Sequence, residues 1–468
     1  VLTSSSMLAP PAPAPLSPAQ GEPSLALPRS FWKDFAKRYW DREPVLFRGL
    51  FQAHFPSTEE IFAAAVEASA RSLRDEYPPM SVVRFFVEHE DSPDGMPYYS
   101  LIFPLTKKHL PLPEDRSAND YVERVTRNLG GKRFGLVLNR AQCHHWGHWL
   151  QMRSFLSGFH EAVGVPLGLS DSCVFFGNYL YTPFGVHKDD LHIFYFVVEG
   201  QKTMSMWPFE LLSGREEVPK DPGFIHRPGA IALRDKADEK QVLAQATTLV
   251  GRAGDLMYWP ASYWHRAEPS QGLAISASLG VNFQPPEFAG RAPKGQWPGR
   301  LRHTELPGSG AWRVPASVRK SIQQRTRREE LLAAEREQLS DWTRYLTAGA
   351  LLGSPPEATG EAPLTPKEWI RTSPQRPIVA VSLPKGQVLL SANGHSTTLS
   401  PSPTVRRRID ALLKALNSGK PQHVEALEEA FFTRLTARGF NTRAFRSLLQ
   451  DLVRWRAVSR CEPLVARR

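Results

Sequence analysis

The sequence predicts an α+β chain whose larger part is an antiparallel barrel, followed by a helical region and a smaller helix-rich domain. Three observations carry this reading. Short apolar runs separated by turn clusters fill the first 285 residues, which marks an antiparallel barrel and not a parallel sheet alternating with helices. From near Pro286 a proline-rich linker gives way to Val314 to Thr347, where Arg and Glu alternate with Ile322, Leu331, Leu332 and Leu339 at roughly helical intervals. Beyond about residue 374 two strands precede three helical segments, punctuated by Ser418-Gly419 and Gly439-Phe440-Asn441 as stops and restarts.

The elements follow in order. Residues 1–28, rich in Ala, Pro and Ser, lack the basic start and continuous apolar core of a secretion signal and read as a flexible leader; Val1 to Ser6, ahead of Met7, read as a cloning remnant. Phe31 to Trp40 reads as a helix and Pro44 to Arg48 as a strand. Residues 58–75 and 115–129 carry helical spacing, while Ser81 to Glu88 and Phe134 to Asn139 read as strands. In the last region the expected strands are Pro377 to Leu383 and Gln387 to Ala392, and the expected helices Thr404 to Asn417, His423 to Arg438 and Thr442 to Trp455. The domains implied are 29–285, 286–373 and 374–468.

Length and composition narrow the class. A chain of 468 residues with 41% hydrophobic content supports about three domains, each with its own core. Cys143, Cys173 and Cys461 lie far apart without paired spacing, which suggests neither a disulfide framework nor a zinc module; a reducing cytoplasm fits best. No apolar run is long enough for a transmembrane helix. Charge divides the chain: residues 301–468 hold 27 Lys and Arg against 15 Asp and Glu, whereas residues 1–300 hold 31 against 32. The basic tail suits an anionic partner, and equally a solvated Arg-rich helical surface.

The chemistry is concentrated in His187-Lys188-Asp189. In an extended strand, residues two apart project to one side, so His187 and Asp189 can meet one metal ion, with His265 as a third ligand from another strand. Two neutral imidazoles and a carboxylate on one face of an ion, with the opposite face open, suit non-heme Fe(II) oxygen chemistry. A His-x-Asp pair by itself is commoner as a surface pair with no ligand role, and it is the rest of the pattern that points to a metal site. The apolar run Ile193 to Val198 and the turn signal Glu199-Gly200-Gln201 predict a hairpin, with Lys202 opening the returning strand. Pointing inward, that ammonium would need an anion, and a dicarboxylate supplies one. Tyr195 and Ile193 share the inward face by strand alternation, Tyr195 within reach of cosubstrate or substrate, while Asp190 and His192 face away. His144, His145 and His148, around Trp146 and Trp149, read as packing or capping residues of a helical connection. Trp259, Tyr263 and Trp264 read as barrel core or rim.

This constellation resembles the JmjC family of iron and 2-oxoglutarate oxygenases within the cupins. The resemblance is carried by Tyr181-Thr182-Pro183-Phe184-Gly185 before His187-x-Asp189-Asp190, by Glu199-Gly200-x-Lys202, and by Gly254-Asp255 leading to Trp264-His265, and it covers roughly residues 30–285. It implies a double-stranded β-helix (the jelly roll of the cupins), Fe(II) on His187, Asp189 and His265, and Lys202 on the distal carboxylate of 2-oxoglutarate. Asn178 looks like the asparagine lining the cosubstrate pocket in the ribosomal-oxygenase branch, and Ser278, or else Ser276, sits where that branch has a cosubstrate-contacting serine. The loop between Pro183 and His187 is shorter than in those relatives. Phe184 stands where some JmjC hydroxylases have a threonine.

The same branch has a helical dimerisation region after its barrel and a C-terminal winged helix, so residues 286–373 are expected to dimerise and 374–468 to form a winged helix. Arg443, Arg446, Arg454 and Arg456 would be the nucleic-acid contacts if that domain binds DNA or RNA. Against this, Leu448, Leu449, Leu452 and Val453 make much of the third helix core. The implied reaction is oxidative decarboxylation of 2-oxoglutarate with dioxygen to succinate and carbon dioxide, coupled to hydroxylation of a side chain in a protein or peptide. A free amino acid or peptide-like natural product is the alternative substrate, and a nucleic-acid-binding regulator with a metabolite-sensing cupin the alternative of another class. N-methyl demethylation uses the same oxidant, but nothing shows the aromatic cage expected for methylated lysine.

Overall fold

The computed structural model describes residues 26–51, 57–74, 82–89, 98–166, 168, 170–179, 184–189, 191–212, 215, 230–231, 233, 235–268, 272–283, 314–323, 330–431 and 442–462. Most of the leader, Tyr181-Thr182-Pro183, Asp190, nearly all of the proline-rich linker and Gly439-Phe440-Asn441 lie outside them. The chain forms two compact units, Val1–Gly158 with Ser170–Asn282, and Phe159–Leu169 with Phe283–Arg468.

The first unit runs α1 (Arg29–Arg38), β1 (Val45–Phe47), α2 (Thr58–Leu73), β2 (Val83–His89), β3 (Tyr98–Leu101), α3 (Ala118–Asn128), β4 (Phe134–Leu138), α4 (Trp146–Ala162), β5 (Ser170–Gly177), β6 (Val186–His187), β7 (His192–Glu199), β8 (Gln201–Pro208), α5 (Phe209–Leu212), β9 (Ala230–Ile231), α6 (Lys236–Leu243), β10 (Thr247–Arg252), β11 (Leu256–Trp259), β12 (Tyr263–Ala267) and β13 (Ala274–Val281). Helix starts follow the capping residues. Ser57 Oγ accepts the Glu60 N–H, Ser117 Oγ that of Asp120, and Asp235 those of Ala237 and Asp238.

Two antiparallel sheets form, ordered β1-β11-β7-β13-β5-β4-β2-β3 and β10-β8-β12-β6-β9. One buried cluster draws on both: Ile193, Tyr195 and Val197 of β7 and Met257 and Trp259 of β11 meet Met204 and Met206 of β8, Leu249 of β10 and Ala267 of β12. The interior is thus filled by the inward residues of alternating strands, as the period-2 pattern of β7 and β8 requires.

The Gly200 turn corrects one expectation. It does not close a hairpin, because β7 pairs with β11 and β13 whereas β8 pairs with β10 and β12. Instead it carries the chain from one sheet to the other. Gly200 has φ +74, and a Cβ there would lie 2.5 Å from the Leu273 carbonyl oxygen, so any side chain would block the passage. Gly254-Asp255 is a second such corner. Asp255 accepts the Gly49 N–H at 2.7 Å, the Arg252 N–H at 2.9 Å and Arg48 Nη1 at 2.9 Å, tying β1 and the β10–β11 turn together.

The second unit contains α7 (Ala316–Gln323), α8 (Glu330–Thr347), β14 (Trp369–Thr372), β15 (Val379–Ser382), β16 (Val388–Ala392), β17 (His395–Leu399), α9 (Pro403–Leu416), β18 (Gln422–His423), α10 (Val424–Phe431), α11 (Thr442–Arg454) and β19 (Val458–Cys461). Where one long helix was expected from Val314 to Thr347 there are α7 and α8. Part of the apolar stripe of α8 is covered within the unit: Leu339, Trp342 and Leu346 are buried with Val381, Leu383 and Leu389 of the β15–β16 hairpin, while the side chains of Ile322, Leu331 and Leu332 lie outside the described ones. The two strands expected beside the three helices form a meander with β17, and the other sheet is ordered β18-β14-β19. The boundary expected at 373/374 therefore falls directly after the middle strand of that sheet. His423, expected in a helix, is in β18.

Ile409, Leu412, Leu416, Phe445, Leu449 and Leu452 make the core of the three helices. Arg446 is paired with Glu428 at 3.0 Å, Arg454 with Glu357 and Asp451, and Arg456 donates to the Pro356 carbonyl, so three of the four arginines considered for nucleic acid have partners inside the unit. No helix among the described residues is long and apolar enough to cross a membrane.

Asp255→Ala should destabilise the first unit by about 2–4 kcal/mol, since it removes a charged acceptor from two backbone N–H groups and a guanidinium. Chemical denaturation checks this; a change below about 0.5 kcal/mol would show the corner to be held by Gly254 alone.

Candidate metal centre

His187 ends the two-residue strand β6, and its Cα partner across the ladder is His265 of β12. This pairing sets the two imidazoles side by side, ring centroids 4.2 Å apart. Asp189, two residues on, brings a carboxylate oxygen 4.0 Å from His187 Nε2 and 3.7 Å from His265 Nε2. All three ligand atoms lie within 4.8 Å of one another, the only such group of three or more His, Cys, Asp or Glu among the described residues. The imidazoles are buried at 6% and 4% exposure.

Two imidazoles and a carboxylate facing one point are a donor set that suits a divalent transition-metal ion. His187 Nδ1 lies 3.0 Å from the Gly185 carbonyl oxygen, which only accepts, so Nδ1 carries the proton and the Nε2 lone pair is left for a metal. The strand carrying His265 is fastened on its other face. Arg266, buried beside it, forks onto Glu268 at 3.0 and 2.7 Å and reaches Glu239 of α6 at 2.7 Å, while the Trp264 indole donates to the Phe209 carbonyl at 3.1 Å. Adjacent side chains point to opposite faces, so these outward contacts fix a strand whose inward residue is His265.

A cavity of about 250 Å³ opens on the three ligands. Ile193, Tyr195, Met204, Trp259 and Ser278 line it, and Arg84, Asn139, Asp171 and Cys173 give it a polar wall. Arg84 donates to Asn139 Oδ1 at 3.0 Å and lies 5.0 Å over the Phe184 ring. Burial raises the Asp171 carboxyl and pushes the Cys173 thiol up to about 12. Asp171, Cys173 and Phe175 alternate along β5, so these cavity residues were readable from the period of that strand once β5 was known to border the site.

The expected site residues separate into groups. Tyr195 and Ser278 line the cavity, and the Tyr195 hydroxyl shares a 2.5 Å hydrogen bond with Ser276, which is fully buried. Lys202 is fully buried, pointing inward on the face of β8 that also bears Met204. Its Nζ donates to the Tyr179 hydroxyl at 2.7 Å and sits 4.1 Å from the centroid of that ring. Among the described residues no carboxylate pairs with it, and burial lowers its pKa to about 7. Tyr179 was not foreseen.

Neither Lys202 nor Asn178 is among the residues that line the cavity. Asn178 Oδ1 accepts the Phe134 N–H at 3.0 Å and its Nδ2 donates to the Thr126 hydroxyl at 3.1 Å, so the side chain ties the start of β4 to α3. His192 faces away from the metal ligands as expected and is packed, its ring stacked 4.1 Å from that of Trp40 and its Nδ1 3.2 Å from the Tyr258 hydroxyl. Burial lowers the pKa of His144 to about 4 and of His148 to about 3; His148 Nε2 bonds Ser172 and its N–H is accepted by His145, a packing and capping arrangement.

No family model matches the chain, and no curated protein matches it. Among solved structures it is similar to Escherichia coli YcfD: one X-ray structure at 14% identity and TM-score 0.42, covering 92% of this chain and 98% of that one. Another, described as a ribosomal oxygenase, has 16% identity and TM-score 0.40 over 94% of this chain and all of that one. A complex of the same protein with cobalt and 2-oxoglutarate has 15% identity and TM-score 0.38, with 92% and 98% covered. The likenesses are distant.

Two outcomes are expected. Asp189→Ala should weaken Mn(II) or Co(II) binding at least 100-fold by calorimetry, whereas a change below threefold would place the metal elsewhere. For Lys202 the folded pKa of about 7 lies below the ordinary 10.5, so the cost of burying the ammonium is fully present below pH 7 and fades as pH rises toward 10.5. Lys202→Met should therefore raise stability, on the order of a few kcal/mol at pH 7, with the gain shrinking toward pH 10; a gain independent of pH would contradict the assignment.

Proposed function

We propose that this protein is an Fe(II)- and 2-oxoglutarate-dependent oxygenase that hydroxylates an amino-acid side chain of a protein or peptide, releasing succinate and carbon dioxide. The observation that carries the proposal is the convergence of His187, Asp189 and His265 on one point of a cavity, in the same unit that buries Lys202, for which no carboxylate partner occurs among the described residues. Bound ferrous iron, with the keto acid and dioxygen, supplies the oxidising equivalents that turn a substrate C–H into C–OH.

The chain's own residues do the rest. His187 and His265 would hold the ion through neutral imidazole nitrogens and Asp189 through its carboxylate, with the cavity beside them as room for cosubstrate and substrate. Lys202 holds the distal carboxylate of the keto acid in a charge-assisted hydrogen bond, which returns the ammonium to its charged form. Tyr179, already in contact with Nζ, has its own O–H to donate to the same carboxylate. Ile193, Met204 and Trp259 keep the region beside the metal apolar and limit water, while the polar wall formed by Arg84, Asn139 and Asp171 meets the substrate head group. The resemblance of the sequence motifs to the ribosomal-oxygenase branch supports a protein or peptide as substrate. The three helices and three-stranded sheet of the second unit are read as its winged-helix-like module. Dimerisation and nucleic-acid binding are not part of the proposal, because Leu339, Trp342 and Leu346 of α8 are covered within the unit and Arg446 and Arg454 of α11 are paired there. The three cysteines are free thiols, and the proposal assigns the chain to a reducing cytoplasm.

Incubation with Fe(II), 2-oxoglutarate and fractionated lysate should release succinate and add one oxygen to a protein or peptide by mass spectrometry. Absence of both, with metal bound, would contradict the proposal. Lys202→Ala should keep the metal affinity and lose at least tenfold in 2-oxoglutarate affinity, the loss expected for a charge-assisted contact; unchanged affinity would remove Lys202 from this role.

A further inference from the structure

The contact between Tyr179 and Lys202 depends on a strip of backbone that carries no side chains. Gly135 of β4 and Gly177 of β5 are direct partners across the ladder. Glycine in a strand interior costs conformational entropy and marks a place where another group comes close. Here that group is the Tyr179 ring. A Cβ on Gly135 would lie 3.0 Å from Tyr179 Cδ1 and 3.4 Å from Cε1. One on Gly177, whose φ is +149, would lie 2.7 Å from the same Cδ1 and 2.3 Å from the Phe134 carbonyl oxygen.

The segment just before Tyr179 is pinned as well. Asn178 takes the Phe134 N–H with Oδ1 and gives Nδ2 to Thr126 of α3, so the backbone is held on both sides as the ring lies across the glycines. In that position Tyr179, at 3% exposure, puts its hydroxyl 2.7 Å from Lys202 Nζ. We infer that Gly135 and Gly177 are positioning residues for the keto-acid end of the site: together they form the seat that sets the Tyr179 hydroxyl against Lys202. Asn178 then acts on the cosubstrate indirectly, through the backbone.

This inference rests on the oxygenase reading, and its test is chosen so that the two fail differently. The measurement is calorimetric affinity for 2-oxoglutarate with Mn(II) in place of iron, so no turnover is involved. Gly135→Ala, whose added methyl displaces the ring by a few tenths of an ångström, should weaken the keto acid about tenfold with Mn(II) affinity unchanged. Tyr179→Phe should weaken it in the same way, and the double variant should be no worse than Tyr179→Phe alone, because the two act through one contact. Unchanged affinity in Gly135→Ala, or losses that multiply in the double variant, would overturn the inference. Should Gly135→Ala fail to fold, Thr126→Val decides: it frees the Asn178 pin, and a loss of about threefold is expected, whereas no loss overturns the inference. Failure of the unaltered chain to bind the keto acid at all would instead remove the oxygenase reading, and this inference with it.

Discussion

The whole site depends on one ladder contact, the pairing of His187 with His265 between β6 and β12. β6 has only two residues, so it cannot fix its own position. It is held between β12 and β9, and β12 is held in turn by β8 and, on its outer face, by the ion network of Arg266, Glu239 and Glu268. A buried charged group with all its partners in place gives a strand little freedom, since any displacement leaves charge uncompensated. What reaches the cavity from this arrangement is a pair of imidazoles at fixed spacing, with Asp189 two residues along.

The second constraint is electrostatic. An interior of Met, Ile and Trp side chains is a poor medium for an ammonium, and Lys202 is placed there with a phenol for company. Such a placement costs stability, and under the proposed function an arriving carboxylate offsets that cost. On that reading the first unit holds the three metal-ligating side chains and the lysine in one interior, and a keto acid with a second carboxylate has groups for both.

Much of this was legible in the sequence, and the reasons are local. Strand period places His187 and Asp189 on one side and Tyr195 beside Ile193, because alternation survives whatever sheet the strand joins. What was not legible depends on pairing between distant segments. Gly200 has the same local signature whether it closes a hairpin or passes the chain between sheets, and only the partners of β7 and β8 decide. Asn178 resembled a pocket residue by position, yet its amide is used by Phe134 and Thr126, neither of which its own neighbourhood points to. Tyr179 became visible only with the glycine partners Gly135 and Gly177 facing each other across two strands far apart in sequence.

In the second unit, Leu339 of α8 and the leucines of α11 are buried as their spacing suggested, but periodicity does not say what covers them. Leu339 is covered with residues of the β15–β16 hairpin, and the α11 leucines share a cluster with α9, α10 and strand residues such as Ile370 and Leu390. The most direct test of the account as a whole is a crystal structure of the chain with Mn(II) and 2-oxoglutarate under anaerobic conditions. The account predicts one ion bound by His187, Asp189 and His265, with the distal carboxylate of the keto acid on Lys202. An ion bound through other side chains, or a keto acid whose far end does not reach Lys202, would contradict it.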